Sequence, residues 1–76
     1  MLLFGRLRDI AGWRERPFES SSLSALRSLI AGQAPDLAAA LEGAGVQTAV
    51  DKVLVRGDVA LAQGAEVAFL PPMSGG

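Results

Sequence analysis

Ser20-Ser21-Ser22-Leu23-Ser24-Ala25-Leu26-Arg27-Ser28-Leu29-Ile30, with Pro35 shortly after it, is the stretch that decides the fold. A serine hydroxyl accepts hydrogen bonds from the free amides of a first helical turn, so the triple serine predicts a helix start. Leu23, Leu26, Leu29 and Ile30 recur at three- and four-residue spacing and make one apolar stripe. Pro35 ends the helix at the latest, because proline disfavours helical backbone at the residue before it. No other part of the chain carries so strong an amphipathic helical pattern.

Upstream, Met1 to Arg8 reads as a strand, with Leu3, Gly5 and Leu7 on one face and Leu2, Phe4, Arg6 and Arg8 on the other. Asp9 to Gly12 reads as a turn in which Gly12 supplies a positive φ. Trp13 to Glu19 reads as a second strand, placed at an edge because Pro17 cannot donate to a ladder. Downstream, Asp36 to Leu41 predicts a short helical turn stopped by Gly43 and Gly45. Val46–Val50 and Val53–Val55 flank Asp51-Lys52, which has the length of a two-residue turn. Gly57-Asp58 and Gln63-Gly64 are turn signals, and Glu66 to Leu70 is the last strand. Pro71-Pro72 ends it, since neither has an amide hydrogen to pair.

A hairpin, one main helix and a return to strands predict an α+β domain: a mixed five-stranded sheet with the helix packed on one face. That is the β-grasp layout. The expected domain is residues 1–70, and residues 71–76 form an extended tail. The expected core is Leu3, Leu7, Phe18, Leu23, Leu26, Leu29, Ile30, Leu41, Val53, Val55, Leu61, Val67 and Phe69, with Trp13 at its edge or on the surface.

Composition narrows the function. The 76 residues carry 7 basic and 8 acidic side chains, a balance unlike that of a general nucleic-acid binder. Arg6, Arg8, Arg14 and Arg16 are interspersed with Asp9, Glu15 and Glu19, as on a solvated surface. There is no histidine and no cysteine, so no zinc site or Cys/His or Ser/His nucleophile is expected. The apolar start Met1-Leu2-Leu3-Phe4 is too short for a signal peptide or a membrane span. The expected compartment is the cytoplasm, since small secreted domains usually need disulfides.

The tail reads Pro71-Pro72-Met73-Ser74-Gly75-Gly76. The prolines favour a stiff, extended exit, and the glycines keep the end thin. Fully extended, Leu70 to Gly76 would reach about 20 Å. Such a segment suits a narrow channel in another protein. A terminal carboxylate is a poor acyl donor until activated, for example by adenylation. The chain has no P-loop, so a partner would perform that step.

Glu66-Val67-Ala68-Phe69-Leu70-Pro71-Pro72-Met73-Ser74-Gly75-Gly76 resembles the end of the MoaD family, the small subunits of molybdopterin synthase, which run Asp-Glu-Val-Ala-Phe-hydrophobic-Pro-Pro-hydrophobic-Ser/Thr-Gly-Gly. Leu3 to Gly12 is similar to that family's Phe-Ala-x-x-Arg-Glu-hydrophobic-x-Gly, and Ser22 to Arg27 to its helix start. Asp51 stands where the family often has Asn, and Ala65 where it usually has an acidic residue; both lie in turns. The resemblance implies a β-grasp fold and a non-catalytic, sulfur-donating subunit of a transferase complex. It implies that an E1-like enzyme of the MoeB type uses ATP to adenylate Gly76, and that a persulfide donor converts it to a thiocarboxylate. It implies delivery of that sulfur, inside a large subunit of the MoaE type, to cyclic pyranopterin monophosphate. Two small and two large subunits would form the complex. No bound cofactor or metal is implied. Two other products of the same tail chemistry are open: sulfur for thiazole, as in ThiS-type carriers, and attachment to target lysines as a ubiquitin-like modifier.

Strand alternation adds a docking surface. If Val67 and Phe69 face the helix, Leu70 faces away, and the same reasoning turns Phe4 and Leu54 outward. Phe4, Leu54 and Leu70 would share the open face beside the tail, as a partner surface. Pro71, Pro72, Met73 and Ser74 would enter the partner with the reactive Gly75-Gly76.

Overall fold

The structure is a computed structural model, and it describes residues 1–72. Its elements are β1 (Leu2–Leu3), α1 (Arg6–Ala11), α2 (Leu23–Gln33), α3 (Pro35–Leu41), β2 (Gln47–Val50), β3 (Val53–Val55) and β4 (Val67–Leu70). The sheet runs β1-β4-β2-β3, with β1 parallel to β4 and the other pairs antiparallel.

The main helix begins as its serines require. Ser22 is extended, and its hydroxyl accepts a hydrogen bond from the Ala25 amide at 3.1 Å. The helix stops at Gln33, and Pro35 opens α3 at a position where its missing amide hydrogen costs nothing. Leu23, Leu26 and Ile30 are buried against Leu3, Leu7, Leu37, Leu41, Val67 and Phe69. Phe18, Val55 and Leu61 are half-buried and packed on that core, as is Trp13, whose ring centroid lies 5.9 Å from that of Phe18. The Arg16 guanidinium covers Trp13 from 5.0 Å.

Four features depart from the sequence reading. First, Arg6 to Ala11 is helix, not the end of a strand followed by a turn. Gly5, at φ 58°, turns the chain out of the sheet, and Leu7 enters the core from the helix. Gly12 then closes α1 in the left-handed conformation, its amide donating to the Arg8 carbonyl. Second, the sheet has four strands where five were expected. The Trp13–Glu19 segment does run antiparallel to β1: the Leu3 amide donates to the Arg14 carbonyl and the Arg16 amide to the Met1 carbonyl. Pairing is reduced to one bridge, Leu2 to Glu15, because Pro17 has no amide to continue it.

Third, two expected core residues are exposed. Leu29 is 40% exposed, because it lies about 60° around the helix beyond Leu26. Val53 is 63% exposed, because β3 is the outermost strand and only Val55, at its far end, reaches the core. Fourth, Leu37 is fully buried although it was absent from the expected core. Its helix is two turns long, too short for its period to stand out.

The β2–β3 connection is a two-residue turn at Asp51-Lys52, with φ values of 50° and 70°. Aspartate is among the residues that tolerate left-handed backbone, and here its side chain is used across the turn. Its carboxylate accepts from the Glu66 amide at 2.9 Å, and its own amide donates to the Glu66 carbonyl.

Candidate functional site at the tail end of the sheet

Register determines which side chains share the face away from α2. Leu2 pairs with Ala68, Ala68 with Ala49, and Ala49 with Leu54, so these four form one row across the sheet. The next row toward the tail holds Leu70 and Gln47. Phe4 follows β1, and one further step of the parallel register brings it level with Leu70. Phe4 is 47% exposed, Leu54 is 59% exposed, and Leu70 is half-buried.

Phe4 and Leu70 are therefore neighbours at the end of β4. Leu54 sits two strands from β4, about 10 Å away at ordinary strand spacing. Between Leu54 and Leu2 lie only the methyl groups of Ala49 and Ala68. The face is a shallow apolar trough with large side chains at its rims.

The opposite face is sealed under the tail root. Thr48 is buried and pairs with Phe69. Its hydroxyl accepts from Arg27 Nη2 at 3.2 Å, and the same guanidinium lies 5.3 Å above the Phe69 ring. Arg27 thereby satisfies the one buried polar side chain of the sheet and closes the core edge.

The chain leaves β4 through Pro71, half-buried, and Pro72, exposed. Gly5 stands against Pro71 and Gly45 against Pro72. Both glycines have positive φ, 58° and 81°. The sequence reading used Gly45 only as a helix stop and Gly5 only as a strand position. Both contacts with the prolines join residues far apart in sequence and leave no local signal. Met73, Ser74, Gly75 and Gly76 lie outside the described residues. Among the described residues no group of three or more His, Cys, Asp or Glu could hold a metal ion. No helix among them is long and apolar enough to cross a membrane.

The family model named ThiS family matches residues 1–76. The chain belongs to the ThiS family. It is 37% identical over 78 residues to the molybdopterin synthase sulfur carrier subunit of Escherichia coli K12, an alignment that takes in 100% of this chain and 96% of that protein. Among solved structures, the crystal structure of SAMP1 from Haloferax volcanii superposes with a TM-score of 0.79 at 24% identity, covering 99% of this chain and 94% of that one. The superposition establishes the fold of this ThiS-family chain as an α+β, ubiquitin-like β-grasp.

Proposed function

We propose that this ThiS-family chain is the sulfur carrier subunit of a molybdopterin synthase. The observation that carries the proposal is the full-length match to the Escherichia coli sulfur carrier subunit, together with the Pro-Pro-x-Ser-Gly-Gly sequence that follows Leu70. The Gly76 carboxylate attacks the α-phosphorus of ATP in an E1-like enzyme of the MoeB type, and pyrophosphate leaves. The terminal sulfur of a persulfide attacks the acyl carbon, and AMP leaves. A thiol then reduces the resulting acyl disulfide and frees the thiocarboxylate. Inside a MoaE-type large subunit the thiocarboxylate gives its sulfur to cyclic pyranopterin monophosphate, and the carboxylate is regenerated.

The chain's own contribution is presentation. Phe4, Leu54 and Leu70 dock the body through the apolar trough, and Pro71, Pro72, Met73 and Ser74 lead Gly75-Gly76 into the partner's site. The chain binds no cofactor itself; ATP belongs to the activating enzyme. The complex works in the cytoplasm. Supplying the thiocarboxylated chain, a large subunit and the pyranopterin should yield one molybdopterin for every two carriers consumed, since each thiocarboxylate gives one of the two dithiolene sulfurs. A chain ending at Gly75 should yield none. Product formed equally well by both would overturn the proposal.

A further inference from the structure

Pro71 and Pro72 have no amide hydrogens, so no ladder hydrogen bond through their nitrogens can hold the root of the tail. Packing must do it. Two glycines from separate loops supply that packing: Gly5, between β1 and α1, and Gly45, before β2. A Cβ built on Gly5 would stand 2.8 Å from Pro71 Cγ. A Cβ built on Gly45 would stand 2.7 Å from Pro72 Cβ and 3.6 Å from its Cα. Bare backbone is what lets the two rings settle there.

We infer that Gly5 and Gly45 are positioning residues that clasp Pro71-Pro72 and set the heading of the chain at Pro72. The use of that heading rests on the sulfur-carrier reading; the clasp itself does not. The two jaws are unequal. Pro71 Cγ is the free corner of a ring and yields by changing pucker. Pro72 Cβ and Cα are fixed to the main chain, so a methyl group on Gly45 must displace the chain itself. Gly45→Ala is the decisive variant, and Gly5→Ala is the milder one.

The fold contains its own control for backbone strain. Gly64 has the same φ as Gly45, 81°, yet a Cβ there meets nothing within 4 Å. Gly64→Ala therefore carries the left-handed strain without the proline collision. The chain lacks cysteine, so spin labels at Ser28→Cys on the exposed side of α2 and at Ser74→Cys report the tail's heading with no reaction involved. Gly45→Ala should shift the label-to-label distance, and Gly64→Ala should leave it where the parent has it. In pyrophosphate exchange with the activating enzyme, Gly45→Ala should lower kcat by up to about a hundredfold, the scale of a misplacement near 1 Å, with KM little changed. Once Pro72→Gly has removed the ring, the added methyl at position 45 should cost little further. Unshifted labels with parental kcat in Gly45→Ala would overturn the inference. So would equal losses in Gly45→Ala and Gly64→Ala, or failure of Gly45→Ala alone to fold, since the contact would then hold the body and not aim the tail. Shifted labels with no adenylation even of the parent would sustain the clasp and defeat the sulfur-carrier reading.

Discussion

Phe4 and Leu54 hold large apolar groups in water on the face away from α2, Leu54 at the end of the row that runs through Ala49 and Ala68 and Phe4 beyond the end of β1. Neither belongs to the buried cluster, so an arginine at either position leaves the core intact. Burying such side chains in a partner is where binding energy concentrates. We expect Phe4→Arg or Leu54→Arg to weaken association with the large subunit by about 2 kcal/mol, roughly thirtyfold in Kd, with an unchanged melting temperature. Titration calorimetry on the purified pair measures it; parental affinity in both variants would remove the trough as the docking surface. These outward positions were legible from alternation alone, because Val67 and Phe69 mark the inner face of β4 unambiguously. The glycine clasp was not legible, because a contact between Gly45 and Pro72 is a property of the closed fold.

At the scale of elements, the N-terminus of α2 is tied twice. Ser22 caps it from within, and Asp58 accepts from the Ser24 amide at 2.8 Å from the loop before β4. The Leu23 amide donates to the Val59 carbonyl and the Leu61 amide to the Ser21 carbonyl, so the loop is strapped along the helix start. Gly57-Asp58, a turn signal in the sequence, thus also contributes a helix cap through Asp58. Ser22→Ala and Asp58→Ala should each lower stability by about 1 kcal/mol in urea titration; no loss in either would mean the strap is ornamental to the fold. The capped helix, the Asp51-Lys52 turn and β4 were readable because their signals are local. Leu2–Leu3 is the expected strand, but Arg6–Ala11 misled because alternation and helical period agree over so short a run. Leu3 and Leu7 fit a strand face, while Leu7, Ile10 and Ala11 fit a helix. The pairing of Trp13–Glu19 depends on β1 and not on its own pattern, so its extent was unreadable.

At the scale of the molecule, the sheet order puts β4 between β1 and β2, so the tail springs from an interior strand and not from a loose edge. That root is fixed by strands on both sides, by Arg27 over Phe69 beneath, and by Gly5 and Gly45 at the exit. A small domain buries only a modest core, so these contacts matter to how firmly Pro71 and Pro72 are held. What Gly76 becomes decides whether the chain is a sulfur carrier. The decisive measurement is the intact mass of the chain after incubation with the E1-like enzyme proposed as its activator, ATP and a persulfide donor. A mass increase equal to replacing one oxygen by sulfur, located on Gly76 and dependent on ATP, is the result predicted. An unchanged mass with an enzyme that demonstrably activates another carrier would contradict it.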